Sequence, residues 1–321
     1  MALHVVDLAG LALANRGLTD PAWARPGSRD VVAVEATGEA LDEPVTLPVV
    51  VVALADVAVD PPAWSDLALP AGSALVDAAV ATVEHHPLAC ASLVTLLRGA
   101  EGRDLHAGLV AESATYSALQ AGQEFARWRA GRIPRRRPPG GPAISVGRDG
   151  NEVTVTLRRP GVRNAVNTEM RDALVEAFTT VRHDASITSV HLRGAGPDFC
   201  AGGDLDEFGA FPDTATAHVL RLRQSPGRTI AAVADRVVAH LHGACMGSGI
   251  ELPAFAATVE ADHDVRIGLP ELSLGLIPGA GGTVSLPQRI GRQWTARLAL
   301  TGEVLDAQGA LAVGLVDRLV S

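Results

Sequence analysis

The stretch His242-Gly243-Ala244-Cys245-Met246-Gly247-Ser248-Gly249-Ile250-Glu251-Leu252 decides how this chain is read. The residues before it, Val237–His242, read as a strand, and the stretch hands over to a short helix opening near Ser248. Its small residues let a ligand approach the main chain and leave N–H groups free to meet it. The helix start adds a positive end, and Glu251 follows one turn later. Two further clusters sit at strand-to-loop handovers. One is Phe199-Cys200-Ala201-Gly202-Gly203-Asp204-Leu205. The other is Leu269-Pro270-Glu271, followed by Gly275-Leu276-Ile277-Pro278-Gly279-Ala280-Gly281-Gly282-Thr283. Two such loops can aim two N–H donors at one oxygen. Glu251 and Glu271 lie in glycine-rich, mostly uncharged surroundings, where burial would raise a carboxyl toward proton-transfer range. An oxyanion hole with two carboxyls can make an enolate and quench it.

Outward from these clusters the texture is α/β. Glu152–Leu157 and Ser189–Arg193 read as strands, with Val237–His242 as a third. Asn167–Val181 is an amphipathic helix and Gly227–Ala234 a second helix, an alternation that favours a layered architecture. No glycine triad follows a first strand in the dinucleotide-binding order. The run Gly131-Arg132-Ile133-Pro134-Arg135-Arg136-Arg137-Pro138-Pro139-Gly140-Gly141-Pro142 reads as a solvated linker, dividing an extension (1–131) from a core (143–321). Within the extension, Asp30–Ala36 and Thr46–Ala55 are β-branched runs that read as strands. Ser73–Glu84 and Leu88–Leu97 carry helical patterning broken at Pro87. Asp104–Ala130 reads as one longer helical segment.

Composition removes whole chemistries. All 27 basic residues among the 321 are arginine, so no lysine serves as a Schiff base or P-loop cation. Anionic ligands must meet arginine, backbone N–H groups or helix N-termini. A net charge of -9 with 3% aromatic residues argues against a nucleic-acid binder. The three cysteines, Cys90, Cys200 and Cys245, show no CxxC spacing, which fits a reducing cytoplasm. No signal-peptide pattern opens the chain and no apolar run is long enough to span a bilayer, so no membrane partner is expected. Cys200 and Cys245 read as small buried residues, since no partner base is evident. His240 and His242 point to one face of a strand, but without a matched third ligand no metal is expected. Asp262-His263-Asp264 reads as a polar turn.

From about Ala143 to Val320 the sequence resembles the crotonase, or enoyl-CoA hydratase/isomerase, superfamily. The likeness rests on Arg163-Asn164-Ala165, the three clusters, and Leu300-Thr301-Gly302 through Gly314-Leu315-Val316. It implies an α/β fold with a ββα spiral core, here preceded by a mostly helical extension. It also implies syn hydration of a 2-enoyl-CoA thioester, or the reverse, with no cofactor beyond the coenzyme A of the substrate. By the resemblance Ala201 and Ser248 would supply the oxyanion-hole N–H groups, and Glu251 and Glu271 would be the catalytic carboxyls. Ser248 stands where hydratases usually have glycine. Arg163, Ala165, Cys200, Gly202, Gly203, Asp204, Leu205, Gly247 and Gly279 would line the substrate path. Arg158, Arg159, Arg163 or the linker arginines would meet the coenzyme A phosphates. Alternatives within the fold are double-bond isomerisation or cofactor-independent oxygenation of an aryl-acetyl-CoA; outside catalysis, a silent acyl-CoA-binding scaffold. The resemblance also implies a homo-oligomer, a trimer or dimer of trimers.

The family pattern usually continues past the point reached at Ser321 into helices that close the pocket. Leu88–Leu93, Asp104–Leu109, Glu112, Tyr116 and Gly122–Phe125 look like that tail moved to the front of the chain. The expectation is that residues 73–130 pack onto the core as the missing helices, in cis or from a neighbouring subunit. The strands at 30–55 read as a degenerate copy of a crotonase opening.

Overall fold

The computed structural model describes residues 4–16, 31–35, 41, 44–55, 61–133, 135 and 141–320. The extension is less helical than its patterning suggests. Strands β1 (His4–Val6), β2 (Val31–Glu35), β3 (Val50–Leu54) and β4 (Leu67–Leu69) form an all-parallel sheet in that order, with helix α1 (Leu8–Arg16) crossing from the first to the second. The two outer strands are three residues long, too short to show alternation in sequence. Asp30 and Ala36, the ends of one expected strand, lie outside the described residues.

Four helices follow: α2 (Ala74–His85), α3 (Pro87–Arg98), α4 (Leu105–Gln120) and α5 (Gln123–Ala130). Pro87 opens α3 at its first turn, where its missing N–H costs nothing. The expected single helix over 104–130 is two. It starts at Asp104, whose side chain accepts from the Ala107 N–H, and breaks at Ala121–Gly122.

Beyond the arginine-rich run, β5 (Ile144–Asp149) and β6 (Glu152–Leu157) form a hairpin. Then come α6 (Thr168–His183), β7 (Ser189–Gly194), α7 (Thr214–Arg223), α8 (Pro226–Ala231) and β8 (Val237–Leu241). After these lie β9 (Ala244–Met246), α9 (Ser248–Glu251), β10 (Thr258–Asp262), β11 (Arg266–Gly268), α10 (Gly282–Thr301), α11 (Ala307–Ala312) and β12 (Arg318–Val320). The main sheet runs β12-β10-β8-β7-β6-β5, parallel except for β5, and β9 pairs with β11 in a second, parallel layer. On α6, Met170, Leu174, Phe178 and Val181 recur at helical spacing and are buried, while the Asn167 side chain caps its start.

One hydrophobic core joins the two halves. Val52, Leu67, Val83, Leu93 and Leu109 belong to the same buried cluster as Val155, Phe178 and Leu298. Helices α2, α3 and α4 pack on α10, so the helices before the linker lie on the core in cis. From the linker, Arg132 donates to Asp206 and stacks over Trp128, whereas Pro134 and residues 136–140 lie outside the described residues. Among the described residues no single helix is long and apolar enough to cross a membrane.

The extension and the core share one local arrangement at a strand pair. Asp66, just before β4, exchanges two hydrogen bonds with Val51: its N–H donates to the Val51 carbonyl and its Oδ2 accepts from the Val51 N–H, both 2.8 Å. Asp317, just before β12, does the same with Val259 at 2.8 and 2.6 Å. In each case an arginine grips that aspartate together with backbone carbonyls. Arg98 holds Asp66 with the Leu47 and Val49 carbonyls, and Arg289 holds Asp317 with those of Ala254 and Ala256. β3 and β4 thus repeat the closing pair β10 and β12.

Candidate active site

Two turns are stitched together to make the floor. The Cys200 N–H donates to the Ala244 carbonyl and the Met246 N–H to the Cys200 carbonyl, each at 3.0 Å, laying the 199–204 turn against β9. A Cβ on Gly249 would stand 2.1 Å from the Cys200 carbonyl oxygen, so the approach requires glycine. The buried Asn164 side chain accepts from the Arg159 N–H and donates to the carbonyls of Ala195 and Asp198. It thereby fixes Arg163 and itself in the left-handed region, both at φ 53.

That arrangement moves one expected donor. The Arg163 carbonyl accepts the Ala201 N–H at 2.9 Å, so Ala201 has no free donor for a ligand. The N–H groups of Gly203 and Ser248 donate to no protein acceptor among the described residues, and both residues line one cavity of about 200 Å³. The geometry therefore replaces Ala201 with Gly203. The reason is the register of the Val166–Gly203 bridge: Val166 takes the Gly202 carbonyl and the Asp204 N–H, leaving the intervening N–H unused.

Glu251 and Glu271 meet at the same cavity. Glu251 Oε2 accepts from the N–H groups of Ala280 (2.8 Å) and Gly282 (2.9 Å). Glu271 lies beneath Gly247, and its Oε2 is buried without a hydrogen-bond partner. A third carboxyl joins them. Glu112, from α4, accepts from the N–H groups of Gly281 (2.8 Å) and Thr283 (2.9 Å) and from the Thr283 hydroxyl (2.7 Å). Burial pushes Glu112 and Glu271 each up to about 7. Burial first, then the charges of Glu271 and Glu112, raise Glu251 well above the ordinary carboxylate range. Three carboxyls buried around one site cannot all ionise together.

The remaining expected residues are distributed as follows. Gly203, Asp204 and Gly279 line the cavity, and the Tyr116 ring occupies the space a Cβ on Gly279 would need. Asp204 is buried and pairs with Arg159, whose guanidinium also reaches the Ala165 carbonyl. Gly202, at φ +105, lets the turn pass the Met246 carbonyl, and Leu205 is half-buried beyond it. Cys200 is buried, its thiol pushed up to about 11 by burial, and hydrogen-bonds the Gly202 carbonyl. Arg163 points outward, its side chain 60% exposed and paired through Nε and Nη2 with Asp198. Arg158 is exposed, and Arg136 and Arg137 lie outside the described residues. The arginines that do line the cavity are Arg171 and Arg221. His240 meets His191 (2.9 Å) and Glu260 (3.0 Å), whereas His242 meets the Gly196 carbonyl (3.0 Å).

In the sequence Glu112 and Tyr116 mark only the displaced tail, and Arg221 belongs to no motif. The signal for the α4 wall was available: Leu109, Glu112, Ser113, Tyr116 and Gln120 share one helical face, and all line the cavity.

A model of the family described as enoyl-CoA hydratase/isomerase matches residues 148–321. The chain is similar to the 2,3-dehydroadipyl-CoA hydratase of Escherichia coli K12, 34% identical over 174 residues, which are 54% of this chain and 68% of that relative. It is 36% identical over 177 residues to a probable mitochondrial enoyl-CoA hydratase 2 of Arabidopsis thaliana, covering 54% of this chain and 58% of that one. Among solved structures, an enoyl-CoA hydratase of Thermoplasma volcanium superposes with a TM-score of 0.52 at 36% identity, over 56% of this chain and 72% of that one. One from Mycobacterium smegmatis does so with a TM-score of 0.52 at 33% identity, over 56% and 70%.

Proposed function

Because the chain belongs to the enoyl-CoA hydratase/isomerase family, we propose that it adds water across the double bond of a 2-enoyl-CoA thioester, or removes it. The observation that carries this reading is the meeting of Glu251 and Glu271 at one buried cavity beside the unused N–H groups of Gly203 and Ser248. In this reading the thioester oxygen lies between those two donors and takes up enolate charge as the reaction proceeds. A donor of this kind is worth about 2.7–4 kcal/mol of transition-state stabilisation. The two carboxyls hold the water. One takes a proton from it as oxygen attacks the β-carbon, and its protonated partner delivers a proton to the α-carbon on the same face. Burial and mutual repulsion favour the required state, in which the pair holds one proton between them. No cofactor beyond coenzyme A takes part.

Hydration of crotonyl-CoA and of longer 2-enoyl-CoAs tests the proposal, with Glu251→Gln and Glu271→Gln alongside wild type. Each substitution is expected to lower kcat by roughly 100-fold or more, with the substrate still bound. Hydration untouched by both would refute the assignment. Conversion of a 3-enoyl-CoA without hydration would move the reaction to double-bond isomerisation, and tight acyl-CoA binding without turnover would move it to a scaffold.

A further inference from the structure

The enolate chemistry leaves Arg221 unused. This residue sits on α7, in the part of the cavity wall that α7 shares with α4. Its guanidinium is held by neutral oxygens alone. Nε donates to Ser113 Oγ (3.1 Å), Nη1 to Gln120 Oε1 (3.2 Å), and Nη2 to the Ser113 carbonyl (3.3 Å) and to Ser117 Oγ. A guanidinium has five N–H donors, so one on Nη1 is left over. The group lies 4.8 Å over the ring of Tyr116, the single tyrosine of the chain.

No described carboxylate forms an ion pair with Arg221, in contrast to Arg98, Arg159 and Arg289. The carboxyl that acts on it through space is Glu112, and both Glu112 oxygens are already engaged by Gly281 and Thr283. Burial further raises Glu112 to about 7, so near neutrality it supplies only part of a negative charge. A cation drawn from water without a protein anion is costly unless a ligand supplies one. The one remaining Nη1 N–H can donate to a carboxylate oxygen, a charge-assisted hydrogen bond.

Arg221 and the two N–H donors stand on different walls of one cavity. The thioester donors Gly203 and Ser248 lie on the turns beside Val166, whereas Arg221 lies on the α4–α7 wall. Tyr116 contacts both Arg221 and Gly279 of the loop that holds Glu251. We propose that Arg221 binds a carboxylate at the far end of the acyl chain, so that the substrate is the mono-coenzyme-A thioester of an unsaturated dicarboxylic acid. The substrate class rests on the hydratase reading; the binding of a terminal carboxylate does not.

The test uses matched pairs of 2-enoyl-CoAs of equal chain length, one ending in a methyl group and the other in a carboxylate. In wild type the carboxylate chain is expected to have the higher kcat/KM, by roughly 10-fold to 100-fold. Arg221→Gln should bring that ratio toward unity, and Arg221→Lys, which keeps the charge but not the hydrogen bonds to Ser113, Ser117 and Gln120, should retain part of it. A ratio within one variant is insensitive to loss of packing between α4 and α7. Calorimetric binding of the corresponding saturated acyl-CoA pairs reads the same preference without turnover. If no enoyl-CoA is hydrated but the binding preference is present and Arg221-dependent, the hydratase reading falls and the carboxylate site stands. A wild type that favours the methyl-ended chain overturns the site. So does an Arg221→Gln variant that weakens both chains equally, the result expected if Arg221 served the coenzyme A phosphates.

Discussion

At the level of single residues, the site depends on places where a side chain is forbidden. Gly247 has φ 51 and ψ -120, and a Cβ there would lie 2.1 Å from Glu271 Oε1. Gly247→Ala is therefore expected to push Glu271 from under the turn and reorient the Ser248 N–H. We expect a loss of kcat of roughly 100-fold or more, with far-UV circular dichroism unchanged; an alanine variant with wild-type kcat would show that neither group matters. Such residues were legible in sequence, because glycines with two glutamates form a recognisable pattern. Which N–H faces the cavity was not. Ala201 and Gly203 are two apart on one turn, and only the Val166 bridge decides which of them has a carbonyl in front of it.

At the level of elements, α4 is the piece that completes the site. Its Glu112 and the core's Glu251 hold alternate N–H groups of one loop: Gly281 and Thr283 go to the first, Ala280 and Gly282 to the second. Removing the first carboxyl leaves two buried N–H groups and a hydroxyl without acceptors. Glu112→Ala should cost about 2–4 kcal/mol, seen as a lower urea midpoint, and should lower kcat by freeing the loop that anchors Glu251. Glu112→Gln keeps an acceptor and should lose less of both. If Glu112→Ala left the urea midpoint and kcat unchanged, α4 would be packing and no more. The helix itself is predicted by its apolar face, but its break at Gly122 is not. There the Gly122 N–H donates to the Leu119 carbonyl, a local turn that helical periodicity conceals.

For the whole molecule, burying carboxyls has a pH signature. Glu112 and Glu271 hold their protons to about 7 in the folded chain, against an ordinary glutamate value of 4.5. Between those values the unfolded chain has already released protons that the folded chain retains, so stability falls as pH rises through that window and levels above it. Each group contributes on the order of 3 kcal/mol. The thermal midpoint should therefore drop between pH 5 and 7, and Glu112→Gln combined with Glu271→Gln should flatten the slope. A midpoint that rises through this window in wild type would contradict the burial of the carboxyls as protonated groups. Asp184, held at about 2 by its hydrogen bonds to Ser186 and Arg148, titrates below the window. The sequence by itself determined the α/β class, the family and the two glutamates that meet at the cavity, because these depend on local patterns and on spacing along the chain. Only the tertiary structure decided that the front helices close the cavity in cis, that Gly203 rather than Ala201 offers the donor, and that Arg221 forms no ion pair among the described residues. Each of those depends on which distant groups meet and on which hydrogen bonds are already taken, and neither is encoded at any fixed separation in the chain.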